Sequence, residues 1–82
     1  MEKANKKEEK ENELFLISLG EKIAKIRKEK NLTQVELGYR CDFDKSNMRR
    51  IEIGGTNPTI LTLRKISKAL DIDISELIAD LE

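Results

Sequence analysis

The residues with the clearest capacity for chemistry lie between positions 45 and 50. This short stretch has cationic, hydroxyl and amide side chains and no carboxylate: Lys45, Ser46, Asn47, Arg49 and Arg50. Lysine and arginine can donate to guanine O6 and N7, and asparagine can pair with adenine N6 and N7. The stretch can therefore contact nucleic-acid bases. The alternative is that the charges only solvate an exposed helix, which is the usual role of an isolated basic cluster.

A helix is predicted just before this stretch. Thr33 precedes a helical pattern and Glu36 follows three residues later, which is the spacing of a capping box. The Thr33 hydroxyl can accept from the Glu36 amide, while the Glu36 carboxylate accepts from the Thr33 amide. We expect this helix to end near Arg40 or Cys41. Gly38 is a small residue at which a neighbouring helix can come close.

The basic residues themselves lie on a second helix. Asp44 can cap it by accepting from the amide of Ser46 or Asn47, and a left-handed glycine cap at residues 54–55 should end it. Its inward stripe consists of Met48, Ile51 and Glu52. Two helices joined by a short turn, the second of them basic, are typical of a DNA-reading motif.

The segment resembles the helix-turn-helix of the Cro and phage-repressor type, the XRE family. The matching residues of the motif are Leu32, Thr33, Gln34, Glu36, Leu37, Asp44, Ile51, Glu52, Gly54, Asn57 and Pro58. Further apolar matches extend the resemblance over residues 19 to 78. It implies an all-α, five-helix fold like that of lambda repressor, with the helix-turn-helix at helices 2 and 3. It also implies a sequence-specific DNA-binding transcriptional regulator.

The resemblance assigns roles along the motif. The polar and cationic residues of positions 45–50 would contact base edges in the major groove. DNA phosphates would be contacted at helix 2 and in the loop after helix 3, by Thr33, Gln34, Tyr39, Thr56 and Asn57. Gln34 could instead be simply exposed, and Asn57 before Pro58 could be only a turn former.

Three positions depart from the family pattern. Asp42 occupies a turn position where the family prefers glycine, so some backbone strain is expected there. Tyr39 stands at a position that is usually charged. Ile53 stands where relatives usually carry a polar residue, and it could contact a thymine methyl, a sugar or a protein partner.

The resemblance also predicts one internal ion pair. In the family, an arginine of the first helix often pairs with the glutamate that closes the recognition helix, and Arg27 and Glu52 stand at those places. A partly buried carboxylate without its cation would be costly. We therefore expect Arg27 and Glu52 to support the fold first and DNA binding second.

The remaining helices follow from apolar spacing and capping residues. A first helix is predicted from about Glu13 to Lys30, a fourth after Thr59, and a fifth after Ser75. Residues 1–13 mix lysine and glutamate without apolar periodicity. We expect them to form a charged tail, either flexible or a frayed helical extension, ahead of one domain over residues 14–82.

The formal net charge is zero, but the charges are segregated along the chain. Between residues 20 and 68, twelve basic residues outnumber six acidic ones, and the acidic excess lies at the ends. The distribution of charge along a chain matters more for a nucleic-acid partner than the total does. The zero sum therefore does not argue against double-stranded DNA as the partner.

Composition argues against several other functions. There is no histidine, and the one cysteine, Cys41, cannot form an internal disulfide, so we expect a packed free thiol, no metal or other cofactor, and no enzyme. No apolar run approaches the length of a membrane span, and the amino terminus lacks the apolar core of a signal peptide. We expect a cytoplasmic protein without a membrane or small-molecule effector partner.

One small module reads few base pairs, so we expect a homodimer on two half-sites about 34 Å apart. The candidates for the dimer surface are Phe15, Leu77, Ile78 and Leu81, all of which could equally belong to the core. The alternative function is a protein-interaction module on the same fold, such as an antitoxin or an anti-repressor. A steep loss of DNA affinity with salt would favour the DNA-binding function.

Overall fold

The computed structural model of the chain describes residues 5 to 81, and within them it has five α-helices and no strand. The helices are α1 (Lys6–Glu29), α2 (Gln34–Arg40), α3 (Lys45–Glu52), α4 (Ile60–Leu70) and α5 (Ile74–Ile78). The predicted all-helical, five-helix fold is confirmed. α1 packs on α3 and α5, α2 packs on α3, and α4 packs on α5 and α2.

The first helix begins earlier than the apolar pattern predicted. Its cap is Asn5, whose Oδ1 accepts from the Glu8 amide at 2.8 Å. Residues 6–13 are helical and exposed on every side. Lys7 and Glu11 are four residues apart, a spacing at which opposite charges favour a helix without apolar contacts. For residues 6–13 the structure therefore has the helical extension that the sequence left as an alternative.

Four helices end in the same way. Within two residues of the last helical residue of α1 to α4 comes a left-handed residue, with φ between 56° and 77°: Asn31, Asp42, Gly54 and Asp71. The amide of the next residue then donates to the carbonyl five residues back, as in a Schellman motif. Asp42 has a φ of 57°, so the predicted glycine-like turn between α2 and α3 is present with an aspartate in it.

The starts of α3 and α5 correct two sequence predictions. Asp44 precedes α3, but its exposed side chain accepts no hydrogen bond from the helix. The residue that precedes α5 is Asp73, and Ser75 lies inside the helix. The Glu76 carboxylate accepts from the Asp73 amide at 3.0 Å, so the acidic residue three positions later decides where this helix begins.

The core lies between α1 and the other helices. Its largest fully buried side chains come from all five helices: Ile23, Leu37, Met48, Ile66, Leu70 and Leu77. Cys41 is packed into this cluster as a free thiol, as predicted. Burial raises the pKa of the Cys41 thiol, which keeps it protonated.

The four candidates for a dimer surface differ in exposure. Leu77 is completely buried, so it belongs to the core and offers no surface to a partner, which corrects its place among the candidates. Leu81 is half-buried against the core. Phe15 and Ile78 are exposed. They lie on α1 and α5, which a hydrogen bond from Lys22 Nζ to the Ala79 carbonyl joins at 3.2 Å.

The described residues also limit what else the fold can hold. No helix among them is long and apolar enough to cross a membrane. No group of three or more histidine, cysteine, aspartate or glutamate residues in that range could hold a metal ion. Every buried side-chain nitrogen or oxygen there has a hydrogen-bond partner.

Candidate nucleic-acid interface

α3 turns one line of residues directly away from the core. The predicted inward stripe of α3 is buried, as expected. Successive residues of a helix are rotated by about 100°, so the opposite side is spaced by four and three positions. On that side lie Ser46, Arg50 and Ile53, and all three are exposed. Ile53 ends the helix with φ −85° and ψ −3°, so it continues the same line.

The other predicted base-contacting residues lie on the two flanks of α3. Lys45 and Arg49 are on the flank toward α2, where Lys45 lines a shallow groove with Gln34 and Tyr39. Asn47 is on the opposite flank and is half-buried. It lines a second groove with Arg50, Thr56, Asn57, Thr59 and Thr62. The structure thus brings the predicted base-contacting and phosphate-contacting residues together on both sides of α3.

The cations of α3 have no internal partner among residues 5–81. The one ion pair found there, between Arg27 and Glu52, does not involve them. Side-chain hydrogen bonds within the described chain also leave Lys45, Arg49 and Arg50 free. Their donors are therefore satisfied by water and can be transferred to an anionic or acceptor-rich ligand.

The predicted ion pair fixes the carboxyl end of α3. Arg27 Nε donates to Glu52 Oε2 at 2.7 Å and Arg27 Nη2 donates to Glu52 Oε1 at 2.9 Å. Arg27 Nη1 donates to the Leu32 carbonyl at 2.8 Å, which adds the loop between α1 and α2. Both charged residues are buried. The hydrogen bond with Glu52 raises the pKa of Arg27, so the guanidinium stays charged despite burial.

Gln34 is part of this network, which the sequence did not indicate. Its Nε2 donates to Glu52 Oε1 at 3.1 Å, and the side chain is half-buried. The simple exposure considered as an alternative does not describe it. An amide nitrogen carries two hydrogens. One is used by Glu52, and the second remains for another acceptor.

The start of α2 has the predicted capping box. The Thr33 hydroxyl accepts from the Glu36 amide at 3.0 Å, and the Glu36 carboxylate accepts from the Thr33 amide at 3.0 Å. The bonds from Thr33 lower the pKa of Glu36. Because the box satisfies the Glu36 amide, the earlier amides of Gln34 and Val35 are the ones left for a ligand at this helix end. Tyr39, one turn on from Val35, is 87% exposed.

Two glycines set the position of α3, and sequence reasoning missed one of them. A Cβ built on Gly20 would lie 2.3 Å from the Glu52 carbonyl oxygen, so only glycine lets α1 pass the end of α3. A Cβ built on Gly54, which has φ 77°, would lie 2.7 Å from Ile17 Cα. Gly38, by contrast, has room for a Cβ at 3.7 Å from Met48 Cβ, so α3 packs beside it at an ordinary van der Waals distance that does not require glycine. A glycine inside a helical pattern was the available signal at position 20.

The chain matches the helix-turn-helix family model HTH_3 over residues 23–77. This match covers more than half of the chain and spans all of α2, α3 and α4. The protein belongs to the HTH_3 helix-turn-helix family. It is accordingly a DNA-binding transcriptional regulator with an all-α fold, and not an enzyme. The predicted XRE-type resemblance is confirmed.

Individual members of the family are similar over most of the chain. Control protein C.MunI of Mycoplasma sp is 40% identical over 67 residues, which cover 80% of this chain and 90% of that protein. The immunity repressor protein of Bacillus phage phi105 is 34% identical over 64 residues, covering 78% of this chain and 44% of the repressor. The crystal structure of the restriction-modification controller protein C.AhdI from Aeromonas hydrophila superposes with a TM-score of 0.74 at 31% identity, covering 76% of this chain and 94% of that one.

Proposed function

We propose that the protein binds operator DNA sequence-specifically as a homodimer, with α3 of each subunit in the major groove. The observation that carries this proposal is the contrast between the two sides of α3. Its inward side is fixed by the Arg27 and Glu52 pair, whereas its outward side presents cations without partners. Similarity to control and repressor proteins over most of the chain supports a regulatory role.

The geometry ranks the residues that would contact bases. Ser46 and Arg50 lie on the outermost line of α3, so they enter the groove most deeply. Lys45 and Arg49 lie on the flank toward α2, and Asn47 lies on the flank toward α4. Arginine suits guanine, which offers two acceptors in the major groove. Arg50 therefore takes the central guanine contact, and Arg49 takes a contact nearer the groove wall.

Phosphate contacts would form on both walls of the groove. On the α2 side, the Gln34 and Val35 amides, the second hydrogen of the Gln34 side chain and the Tyr39 hydroxyl can reach one strand. On the α4 side, Thr56 and Asn57 can reach the other strand. Contacts with both strands fix the register of a recognition helix and carry little sequence information themselves.

The experiment that tests DNA binding starts with selection of bound sequences from random duplexes. The selected site is then titrated against a scrambled one at several salt concentrations. Arg50→Ala should cost about 1–3 kcal/mol on the selected site and relax the preference at one base pair. Gln34→Ala should weaken both duplexes by similar factors, with little change in salt slope, because a neutral side chain releases no counterion.

A different result of the same experiment would contradict the proposal. Failure to enrich any sequence, together with equal binding of selected and scrambled duplexes, would contradict specific readout. It would favour the protein-interaction alternative, in which an antitoxin or anti-repressor uses this fold to bind another protein.

The dimer surface that we propose comprises Phe15, Ile78 and Leu81. Phe15 is 41% exposed and Ile78 is 46% exposed, on helices that pack against each other. A two-fold contact between two such apolar patches would be self-complementary, as closed dimers require. It would also bring two recognition helices together on a palindromic operator.

Analytical ultracentrifugation of two charge variants tests this surface. Ile78→Glu should shift the protein to monomers, because a carboxylate would be buried in the contact. Leu61→Glu is the matched control, since Leu61 is 67% exposed on α4, outside the proposed surface. If Leu61→Glu dissociated the dimer and Ile78→Glu did not, the dimer contact would lie at the start of α4 instead.

A further inference from the structure

Ile53 is an apolar side chain on a face that is otherwise polar. It is 61% exposed, while the two other apolar residues of α3, Met48 and Ile51, are almost completely buried. It therefore contributes little to the core. It lies three positions after Arg50 and seven after Ser46, on the outermost line of the helix.

The position of Ile53 is defined by the backbone around it. The helical φ and ψ of Ile53 keep its Cβ on the same line as the residues before it. A Cβ built on Gly55 would lie 3.6 Å from Ile53 Cγ1 and 3.7 Å from Ile53 Cδ1, so the side chain lies along the turn that ends α3. Ile53 therefore follows Arg50 by about one turn on the exposed line of α3, with its side chain near Gly55 at the end of the helix.

We propose that Ile53 is a specificity residue that contacts the C5-methyl group of a pyrimidine in the major groove. This inference rests on the proposed function, because it places α3 in that groove. The cations of α3 match the charge of DNA, which identifies the occupant of this face. Among the four ordinary bases, only thymine offers an apolar group on its major-groove edge, and that group is the methyl. Methylation gives cytosine the same group.

Contact with one methyl group predicts a small change in DNA affinity that is separable from the hydrogen-bonding preference. Burial of one methyl-sized group is worth about 0.8 kcal/mol, which corresponds to about a fourfold change in affinity. The contact should concern one base pair per half-site, next to the base pair that Arg50 contacts. Ile53 provides no donor or acceptor, so a hydrogen-bonding preference should be unaffected by its removal.

DNA substitutions that remove or add only the methyl group of one base test the contact. In the selected operator, each thymine is replaced in turn by uracil, which keeps every hydrogen-bonding group and removes only the methyl. Each cytosine is likewise replaced by 5-methylcytosine, which distinguishes the two sources of the methyl group. The wild-type protein should lose about fourfold at one thymine or gain about fourfold at one cytosine. Ile53→Ala should bind both versions of that duplex equally.

Ile60→Ala is the matched control, because Ile60 is 64% exposed at the start of α4 and off the line of Ser46 and Arg50. It should leave the methyl effect unchanged. A methyl effect that persists in Ile53→Ala would overturn the inference. So would a loss in Ile53→Ala that is equal for methylated and unmethylated duplexes, which would indicate contact with a sugar. Failure of the proposed function looks different, since the wild-type protein would then enrich no sequence at all.

Discussion

The two ends of α3 are built in opposite ways. At its carboxyl end, Glu52 accepts three hydrogen bonds from Arg27 and Gln34, and Gly20 and Gly54 allow α1 to approach the backbone closely. At its amino end, the Asp44 side chain makes no bond to the helix, and Lys45 and Ser46 are exposed. One end is fixed by the fold, and the other is left to solvent.

This difference separates orientation from readout. The contacts that fix the carboxyl end of α3 involve none of the residues that we propose to contact bases. If Lys45, Ser46 and Arg50 contact bases as proposed, substituting them would change the bound sequence without changing the fold. On that proposal, the same scaffold would serve different operators, provided that the carboxyl end of α3 stays fixed.

The largest predicted effect comes from breaking the fixed end. Arg27→Ala should destabilise the domain by roughly 3–5 kcal/mol, because Glu52 would remain buried without its cation. Urea unfolding followed by circular dichroism measures the loss. Lys28→Ala is the control, since Lys28 is the exposed neighbour on the same helix and should change stability little. Equal stabilities for the two variants would show that the ion pair does not hold α3.

A second prediction uses two glycines as a matched pair. Gly20→Ala should cost roughly 1–3 kcal/mol, because its Cβ would meet the Glu52 carbonyl oxygen and α3 would have to shift. Gly38→Ala has room beside Met48 and should instead stabilise the protein by about 1 kcal/mol through helix propensity. The free energies of unfolding of the two variants should therefore change in opposite directions. A similar loss in both would contradict the assignment of the close approach to Gly20.

The amino end of α3 was harder to predict from sequence than its carboxyl end. Thr33 and Thr59 were correctly identified as caps because the groups that they bond lie three residues away in the chain. Arg27 and Glu52 were found because the family pattern includes them. The Asp44 side chain, however, can be satisfied by water as well as by the helix, and no local pattern decides between them.

Other features depend on packing between distant segments. The contact of Gly20 with the end of α3 and the bond from Gln34 to Glu52 join residues 32 and 18 positions apart. Leu77 has the same apolar character as Ile78, and only the position of α5 against α1 and α4 buries one and exposes the other. Composition and periodicity carry no information about such choices. The DNA contacts of the base-contacting and phosphate-contacting residues stay predictions.

A third prediction compares the two helix starts of the motif directly. Thr33→Ala should cost about 1 kcal/mol, because it removes the hydroxyl that accepts from the Glu36 amide. Asp44→Ala should cost clearly less, because the Asp44 side chain accepts no bond from α3. Thermal unfolding of both variants in one buffer gives the comparison. A larger loss for Asp44→Ala would mean that its carboxylate acts on the helix dipole or caps the helix in solution.

The smallest predicted effect is a pH dependence of stability that arises from Glu36 in the capping box of α2. The bonds from Thr33 lower the pKa of Glu36 in the folded protein, so its carboxylate binds a proton less readily than in the unfolded chain. The resulting stabilisation is fully present above the ordinary glutamate pKa and is lost as the pH falls through the lowered value. An NMR titration of the Glu36 carboxyl should therefore show a midpoint below that of a free glutamate. In Thr33→Ala the midpoint should rise toward the ordinary value, since the hydroxyl that holds the capping box together is gone. An unchanged midpoint in that variant would show that the backbone amide of residue 33 alone lowers the pKa of Glu36. The Thr33 hydroxyl would then serve only to accept from the Glu36 amide.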